Sequence, residues 1–269
     1  IILSDEIEKI IPRGLGRSYG SPAQISNGYV IDLKKFNGIS LNSENNSVKV
    51  GAGVSFDELL KVIVPKGYFI PVSPGTRFVT IGGAIAADVH GKNHHVDGSF
   101  GNYVLEIKII DGEGNLRIFR HNDDQNLDNF WATIGGMGLT GVIIESTFTV
   151  LPIETSLVNV FSERVENLEL LMEKMIINDQ RFRYNVAWVD SLSKKGRGVI
   201  TSGEHANLEQ HQKSKFSRTD PLYYDPKAVT STPQLLPNGL LNNFTVGLFN
   251  QAWYRKAPKE PTFELQTLS

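Results

Sequence analysis

The residues best suited to chemistry in this 269-residue chain fall in three glycine-rich clusters of its first half. In the first, Pro12-Arg13-Gly14-Leu15-Gly16-Arg17-Ser18-Tyr19-Gly20, backbone N–H groups free of side-chain obstruction stand beside two arginines. That combination suits a pyrophosphate. It is not the dinucleotide fingerprint, because the third glycine comes one residue late and no clear strand and helix flank it. The second cluster runs Pro74-Gly75-Thr76-Arg77 and then Thr80-Ile81-Gly82-Gly83-Ala84-Ile85-Ala86-Ala87. Its small residues let a helix start lie against something flat and bulky, and a helix N-terminus favours anionic groups. Close packing of that helix on a sheet explains the same residues equally well. The third cluster, Asp88-Val89-His90-Gly91-Lys92-Asn93-His94-His95, sets three histidines and a lysine beside glycines and reads as the polar wall of a pocket. Histidine exchanges protons near neutral pH, and Lys92 can hold an anion or an oxygen. His90 and His94 are half of a metal site only on a helix, which Gly91 disfavours, and no carboxylate stands at a third-ligand spacing. No metal is expected.

These clusters need elements to hold them, and the hydrophobic pattern supplies candidates. Residues 28–33 and 47–51 are short apolar runs bounded by turn formers, hence strands. Ser55 and Glu58 form a capping box ahead of a helix carrying Leu59, Leu60, Val62 and Ile63, stopped at Pro65-Lys66-Gly67. A hairpin is predicted from Val104–Asp111 and Leu116–Arg120 around Gly112-Glu113-Gly114. A helix through Leu127, Phe130, Trp131 and Ile134 ends at Gly135-Gly136, and a strand from Val142 to Leu151 is closed by Pro152. Beyond it, Val165, Leu168, Leu171, Met172, Met175 and Ile176 recur at helical spacing, followed by a strand over Arg183–Val189. The polar stretch from Gly203 to about Leu235 is expected to be a mobile surface excursion, since it offers little apolar surface to offset ordering entropy. A boundary is therefore placed near Leu151–Thr155.

Composition narrows the functional classes. Lysine and arginine number 27 against 29 acidic residues, a net charge of −2, which gives no reason to expect nucleic acid as partner. No apolar run approaches a membrane span, and Asp5, Glu6 and Glu8 stand where a secretory signal is basic, so a cytoplasmic protein, or one peripheral to a membrane, is expected. With no cysteine, thiolate metal sites and cysteine nucleophiles are excluded. Glycine is lopsided: 20 of 25 lie in residues 1–150. Tight turns and ligand contact with bare backbone both account for that density.

Taken in order and with their separations, PRGLGRSYG, VKVGAGVSFDELL, PVSPGTRFVTIGGAIAADVHGKNHHVDGSFGNYV and FWATIGGMGLTGVI resemble the FAD-linked oxidases of the p-cresol methylhydroxylase type, which include vanillyl-alcohol and sugar-lactone oxidases. The likeness continues through RYNVAWVD, LPNGLLNNFTVG and WYRK, over essentially the whole chain. It implies an α+β fold: a two-subdomain FAD-binding domain over residues 1–152, then the first part of an α+β substrate domain over 153–269 whose C-terminal remainder is absent. The start at Ile1 likewise looks clipped.

The resemblance further implies that Arg13, Gly14, Leu15, Gly16, Arg17, Ser18 and Tyr19 wrap the FAD pyrophosphate. Gly75, Thr80, Ile81, Gly82, Gly83, Ala87, Asp88, Val89 and His90 complete the diphosphate and flavin cradle, and Ile143 meets the adenosine end. His90 and Lys92 are the implied catalytic pair facing flavin and substrate, with Tyr19, Lys92 and Trp188 lining the substrate pocket. Many relatives bind FAD covalently through a histidine where this chain has Arg17, which implies non-covalent FAD. Within the family the motifs are nearest to members that oxidise the 2′-hydroxyl of a polyprenylphosphoryl ribose, the first half of an epimerisation in cell-wall arabinan synthesis. The implied partners are a sugar or polyprenyl-phosphate sugar and a reductase that completes the epimerisation. The basic stretch Lys194–Arg218 is read as a solvated loop, a flap over the pocket or a contact with anionic lipid headgroups. The alternatives are another sugar, alditol or lactone oxidase on the same fold, or a catalytically silent FAD-binding fragment.

Overall fold

A computed structural model describes residues 9–226, 239 and 242–268. The fold is mixed α and β, in two compact units, residues 1–153 and 154–269.

In chain order the first unit contains β1 (Ile10–Arg13), β2 (Tyr29–Asp32), β3 (Ile39–Asn42), β4 (Ser47–Gly51), α1 (Phe56–Ile63), β5 (Tyr68–Phe69), α2 (Ile81–Ala86), α3 (His94–Asp97), β6 (Val104–Ile110), β7 (Leu116–Arg120), α4 (Leu127–Thr133), β8 (Val142–Thr149) and β9 (Leu151–Pro152). β1 and β2 pair in parallel, and β3-β4-β8-β6-β7 form an antiparallel five-stranded sheet. The sheet's core face follows from period-two alternation: Val48 and Val50 are buried while Lys49 between them is exposed. Phe56 of α1, Phe100 and Phe148 of β8 meet edge to face, at 5.4 and 4.9 Å between ring centroids, and join helix, turn and sheet in one core.

The capping box forms as predicted: Ser55 N–H donates to Glu58 Oε2 at 2.8 Å, and Glu58 N–H to Ser55 Oγ at 3.2 Å. The hairpin and α4 also stand where the pattern put them. Pro152 does not simply close a strand. It sits in β9, which pairs with β5 through Tyr68.

The second unit holds β10 (Leu157–Val165), α5 (Leu168–Asp179), β11 (Tyr184–Val189), β12 (Gly198–His205), α6 (Leu208–Gln212), α7 (Asn243–Lys256) and β13 (Thr262–Thr267), with sheet order β11-β12-β10-β13. Three expectations change here. Val165 closes β10 instead of opening a helix; it is buried alongside Leu157, Phe161 and Glu163, an every-other-residue pattern that the helical count obscured. Leu168, Met172 and Ile176 of α5 are exposed, whereas Leu171 packs with Val165 and Ile200. Finally, Gly203–Leu235 is not simply a mobile excursion. Gly203–His205 finish β12, Asn207 caps α6 reciprocally with Gln210, and His211 is buried. Ser156 then ties down the following segment, its N–H donating to Pro221 O at 2.7 Å and its Oγ to Tyr223 O at 2.6 Å. Residues 227–235 of that stretch lie outside the described residues.

Candidate functional site

Within the first unit, the loop after β1, the segment around α2 and the turn before β8 enclose a cleft of about 380 Å³, of the size that small-molecule sites have. Its lining comes from Pro12, Gly14–Tyr19, Pro22 and Ala23, from Leu33, from alternating parts of the segment between Val79 and Val89, and from Met137, Gly138, Gly141 and Ile143. The first and second glycine clusters, separate in sequence, thus form one wall system.

The approach of the two clusters depends on Gly14. A Cβ at Gly14 would lie 2.2 Å from Thr80 Oγ1, so only glycine lets the loop run against the N-cap of α2. Gly16 has φ +62°, and a Cβ there would meet Arg13 Nη2 at 2.8 Å, which places the Arg13 guanidinium under the loop. The N-terminus of α2 does not serve as an anion site. Ile81 N–H donates to Val54 O at 2.8 Å, Gly82 N–H to Ala52 O at 2.9 Å and Gly83 N–H to Thr80 Oγ1 at 3.4 Å, so its leading donors are already engaged within the unit. Gly82 and Gly83 offer the cleft bare surface, and Gly82 also packs closely on Ala52.

The segment leading into α2 is fixed from α1. Phe56 N–H and Asp57 N–H donate to Val79 O and Arg77 O, each at 3.0 Å, and Arg77 Nε lies 2.6 Å from Asp57 Oδ1. Burial alone would raise the Asp57 carboxyl, but hydrogen bonds from Lys61 and Arg77 outweigh it and hold it below its ordinary 3.8.

Of the residues expected to touch a cofactor, Gly14, Leu15, Gly16, Arg17, Ser18, Tyr19, Thr80, Gly82, Gly83, Ala87, Val89 and Ile143 line the cleft. Arg13, Gly75, Ile81, Asp88 and His90 are not among its lining residues: Ile81 is buried in the core and Gly75 is exposed on a loop. Met137, Gly138 and Gly141 line the cleft without having been singled out. Their sequence signal lay in FWATIGGMGLTGVI, of which only Gly135-Gly136 were given a role of their own, as a helix stop.

His90 and Lys92 are exposed on the loop leaving α2, and the His90 and His94 rings lie 5.2 Å apart. No group of three His, Cys, Asp or Glu side chains suited to a metal occurs among the described residues. The Lys92 backbone is held firmly: its N–H donates to Ser73 O at 3.2 Å, and next to it the buried Asn93 side chain accepts from Ser73 N–H at 3.1 Å. That side chain also donates to Pro71 O and to Asp97 Oδ2, each at 2.6 Å. Trp188 belongs to β11 of the second unit, half-buried.

Residues 3–120 match the family described as FAD binding domain. The chain is 42% identical to decaprenylphosphoryl-beta-D-ribose oxidase of Mycolicibacterium smegmatis, over 92% of this chain and 54% of that protein. It is 33% identical to an uncharacterized protein in the mprA 5′ region of Streptomyces coelicolor, over 80% of this chain and 60% of the relative. A D-lactate dehydrogenase of Anaerostipes hadrus is 29% identical over 56% of this chain and 32% of its own length. The chain therefore spans little more than half the length of the first two relatives. The residues of the cleft fit FAD: flat rings could lie on backbone stripped of Cβ atoms, and Arg17, which lines the cleft, could meet the diphosphate.

Proposed function

We propose, from the match of residues 3–120 to the FAD binding domain family, that this chain is the flavin-binding part of an oxidoreductase that oxidises the 2′-hydroxyl of a polyprenylphosphoryl ribose. The observation that carries the proposal is the glycine-walled cleft, formed by the segments expected to cradle FAD. Arg13, by lying under Gly16, shapes the loop, while Arg17 and Ser18 hold the diphosphate from the cleft wall. With Arg17 standing where many relatives of this type carry a covalently linked histidine, the FAD is bound without a covalent link.

FAD, when bound, supplies the acceptor for the hydride leaving the carbinol carbon. The His90 imidazole takes the hydroxyl proton, and the Lys92 ammonium donates to the sugar oxygen from a backbone that Ser73 and Asn93 keep in place. Tyr19, fully exposed on the loop after β1, is the aromatic side chain that the first unit offers to the sugar. The ketone is then a substrate for a separate reductase, which returns the alcohol with inverted configuration.

No described helix is long and apolar enough to cross a membrane. In the basic stretch, Arg197, Lys213 and Lys215 have acidic partners at 2.9, 2.5 and 3.7 Å within their own unit, so Lys194, Lys195 and Arg218 would make the contact with lipid headgroups.

A second reading, oxidation of a 2-hydroxy acid, draws on the likeness to D-lactate dehydrogenase. Anaerobic addition of each alcohol to the FAD-loaded protein separates the two. Bleaching of the visible flavin band by a polyprenylphosphoryl ribose and not by D-lactate is expected, and the reverse preference would overturn the sugar assignment.

A further inference from the structure

We propose that Asp88 is a positioning residue that turns the chain at the end of α2 and so sets the cleft wall, and that its carboxylate does not contact the cofactor. This rests on the assignment of the cleft as the FAD site. Asp88 stands between Ala87 and Val89, both of which line the cleft, yet it is itself absent from the lining. Its φ is +41°, in the left-handed region where glycine is usual and aspartate or asparagine is tolerated. Two bonds define the turn: Val89 N–H donates to Ala84 O and Asp88 N–H to Ile85 O, each at 3.0 Å. These are the paired bonds of a Schellman helix end.

A glycine would satisfy that backbone with less strain, so the side chain must have another use. Asp88 Oδ1 accepts from Gly101 N–H at 2.8 Å. Gly101 is fitted to receive it, since a Cβ there would meet Ile134 Cγ2 at 2.5 Å and Asp88 Oδ1 at 2.9 Å. Phe100 N–H also donates to Val89 O at 2.9 Å. From the other side Gly135 N–H donates to Ile85 O at 2.9 Å, and Met137 N–H to Ala86 O at 2.8 Å. Met137 begins the third wall of the cleft. Asp88 therefore lies where the end of α2, the turn at residues 100–103 and the turn at residues 135–137 converge, and the chain leaving it carries His90 and Lys92.

Three substitutions separate the two properties of Asp88. Asp88→Asn keeps tolerance of positive φ and an acceptor oxygen, Asp88→Gly keeps only the backbone freedom, and Asp88→Ala keeps neither. FAD titration of the full chain should give a Kd within about twofold of the parent for Asp88→Asn, about tenfold weaker for Asp88→Gly, and weaker again for Asp88→Ala. Amide hydrogen exchange on the FAD-free protein should show Gly101 N–H protected in the parent and Asp88→Asn and fast in the other two. Loss of FAD by Asp88→Asn as severe as that by Asp88→Ala would mean that the charge itself is used and would overturn the proposal. So would unchanged exchange at Gly101 in Asp88→Ala. If the parent chain takes up no FAD, the cofactor assignment falls, and the exchange pattern still decides whether Asp88 holds the turn.

Discussion

The two units solve the problem of internal order by different means. In the first, order around the cleft comes from backbone approaching backbone or a short side chain: Gly14 against Thr80, Gly82 against Ala52, and the bonds from residues 135 and 137 to the end of α2. In the second, polar side chains do comparable work in buried positions. Asn178 Nδ2 donates to Ser202 Oγ at 3.0 Å, Ser202 Oγ to Asn185 Oδ1 at 2.8 Å, and Asn185 Nδ2 to Asp179 Oδ1 at 2.7 Å. Asp190, only 2% exposed, accepts from Asn250 of α7 at 2.7 Å and from Arg197 at 2.9 Å. The difference accounts for part of the uneven glycine count, since Gly14, Gly16, Gly82, Gly83, Gly138 and Gly141 line the cleft. A surface meant for flat rings and phosphates is best left bare, whereas the second unit shows no comparable need for backbone without side chains.

The strongest way to break the comparison is to put a side chain on the bare wall. Gly14→Val drives a Cβ into Thr80 Oγ1, so FAD titration is expected to show no measurable uptake, with circular dichroism reporting a folded second unit. The counterpart in the second unit is Asp190→Ala, which removes the counter-charge of Arg197 and the partner of Asn250. Breaking a buried pair from one side costs about 3–5 kcal/mol. Denaturant melts should show that loss in the second unit, with FAD affinity unchanged.

A smaller effect, common to both units, is expected with pH. Burial alone would raise Asp190, but hydrogen bonds from Arg197, Asn250 and Leu192 N–H hold it below 3.8, as Lys61 and Arg77 do for Asp57. A depressed folded pKa stabilises above the unfolded value and is lost as pH falls through the folded one. Stability from both residues should therefore be fully present near neutrality and decline in acid below about pH 3.8, and Asp57→Asn or Asp190→Asn should flatten that decline in the melts. Least affected should be the exposed Lys213–Glu209 pair of α6, where Glu209→Gln is expected to change stability by less than about 0.5 kcal/mol.

What could be seen in the sequence follows the range of the interactions involved. The Ser55–Glu58 box and the hairpin around Gly112–Gly114 are set by residues a few positions apart, and they stand where expected; the first glycine cluster differs, because Pro12 and Arg13 close β1, a strand that the sequence did not reveal. β10 was hidden because Val165 fits both the alternation of a strand and the spacing of the following helix, and only pairing with β12 and β13, far along the chain, decides between them. The outward face of α5 misled for a related reason. Its packed side includes the polar Asn178, which a count of apolar residues passes over. In the cleft, Met137 and Gly138 became visible only once the end of α2 was in place, and Asp88 could be told from its cleft-lining neighbours only by its φ and its bond to Gly101.

The central claim is that the bare cleft of the first unit holds FAD without a covalent bond. Saturating the purified chain with FAD, removing the excess, and recording the visible spectrum before and after acid precipitation tests it directly. A flavin band that copurifies with the chain and passes entirely into the acid supernatant is the expected result; a colourless chain after loading, or flavin that stays with the precipitate, would contradict it.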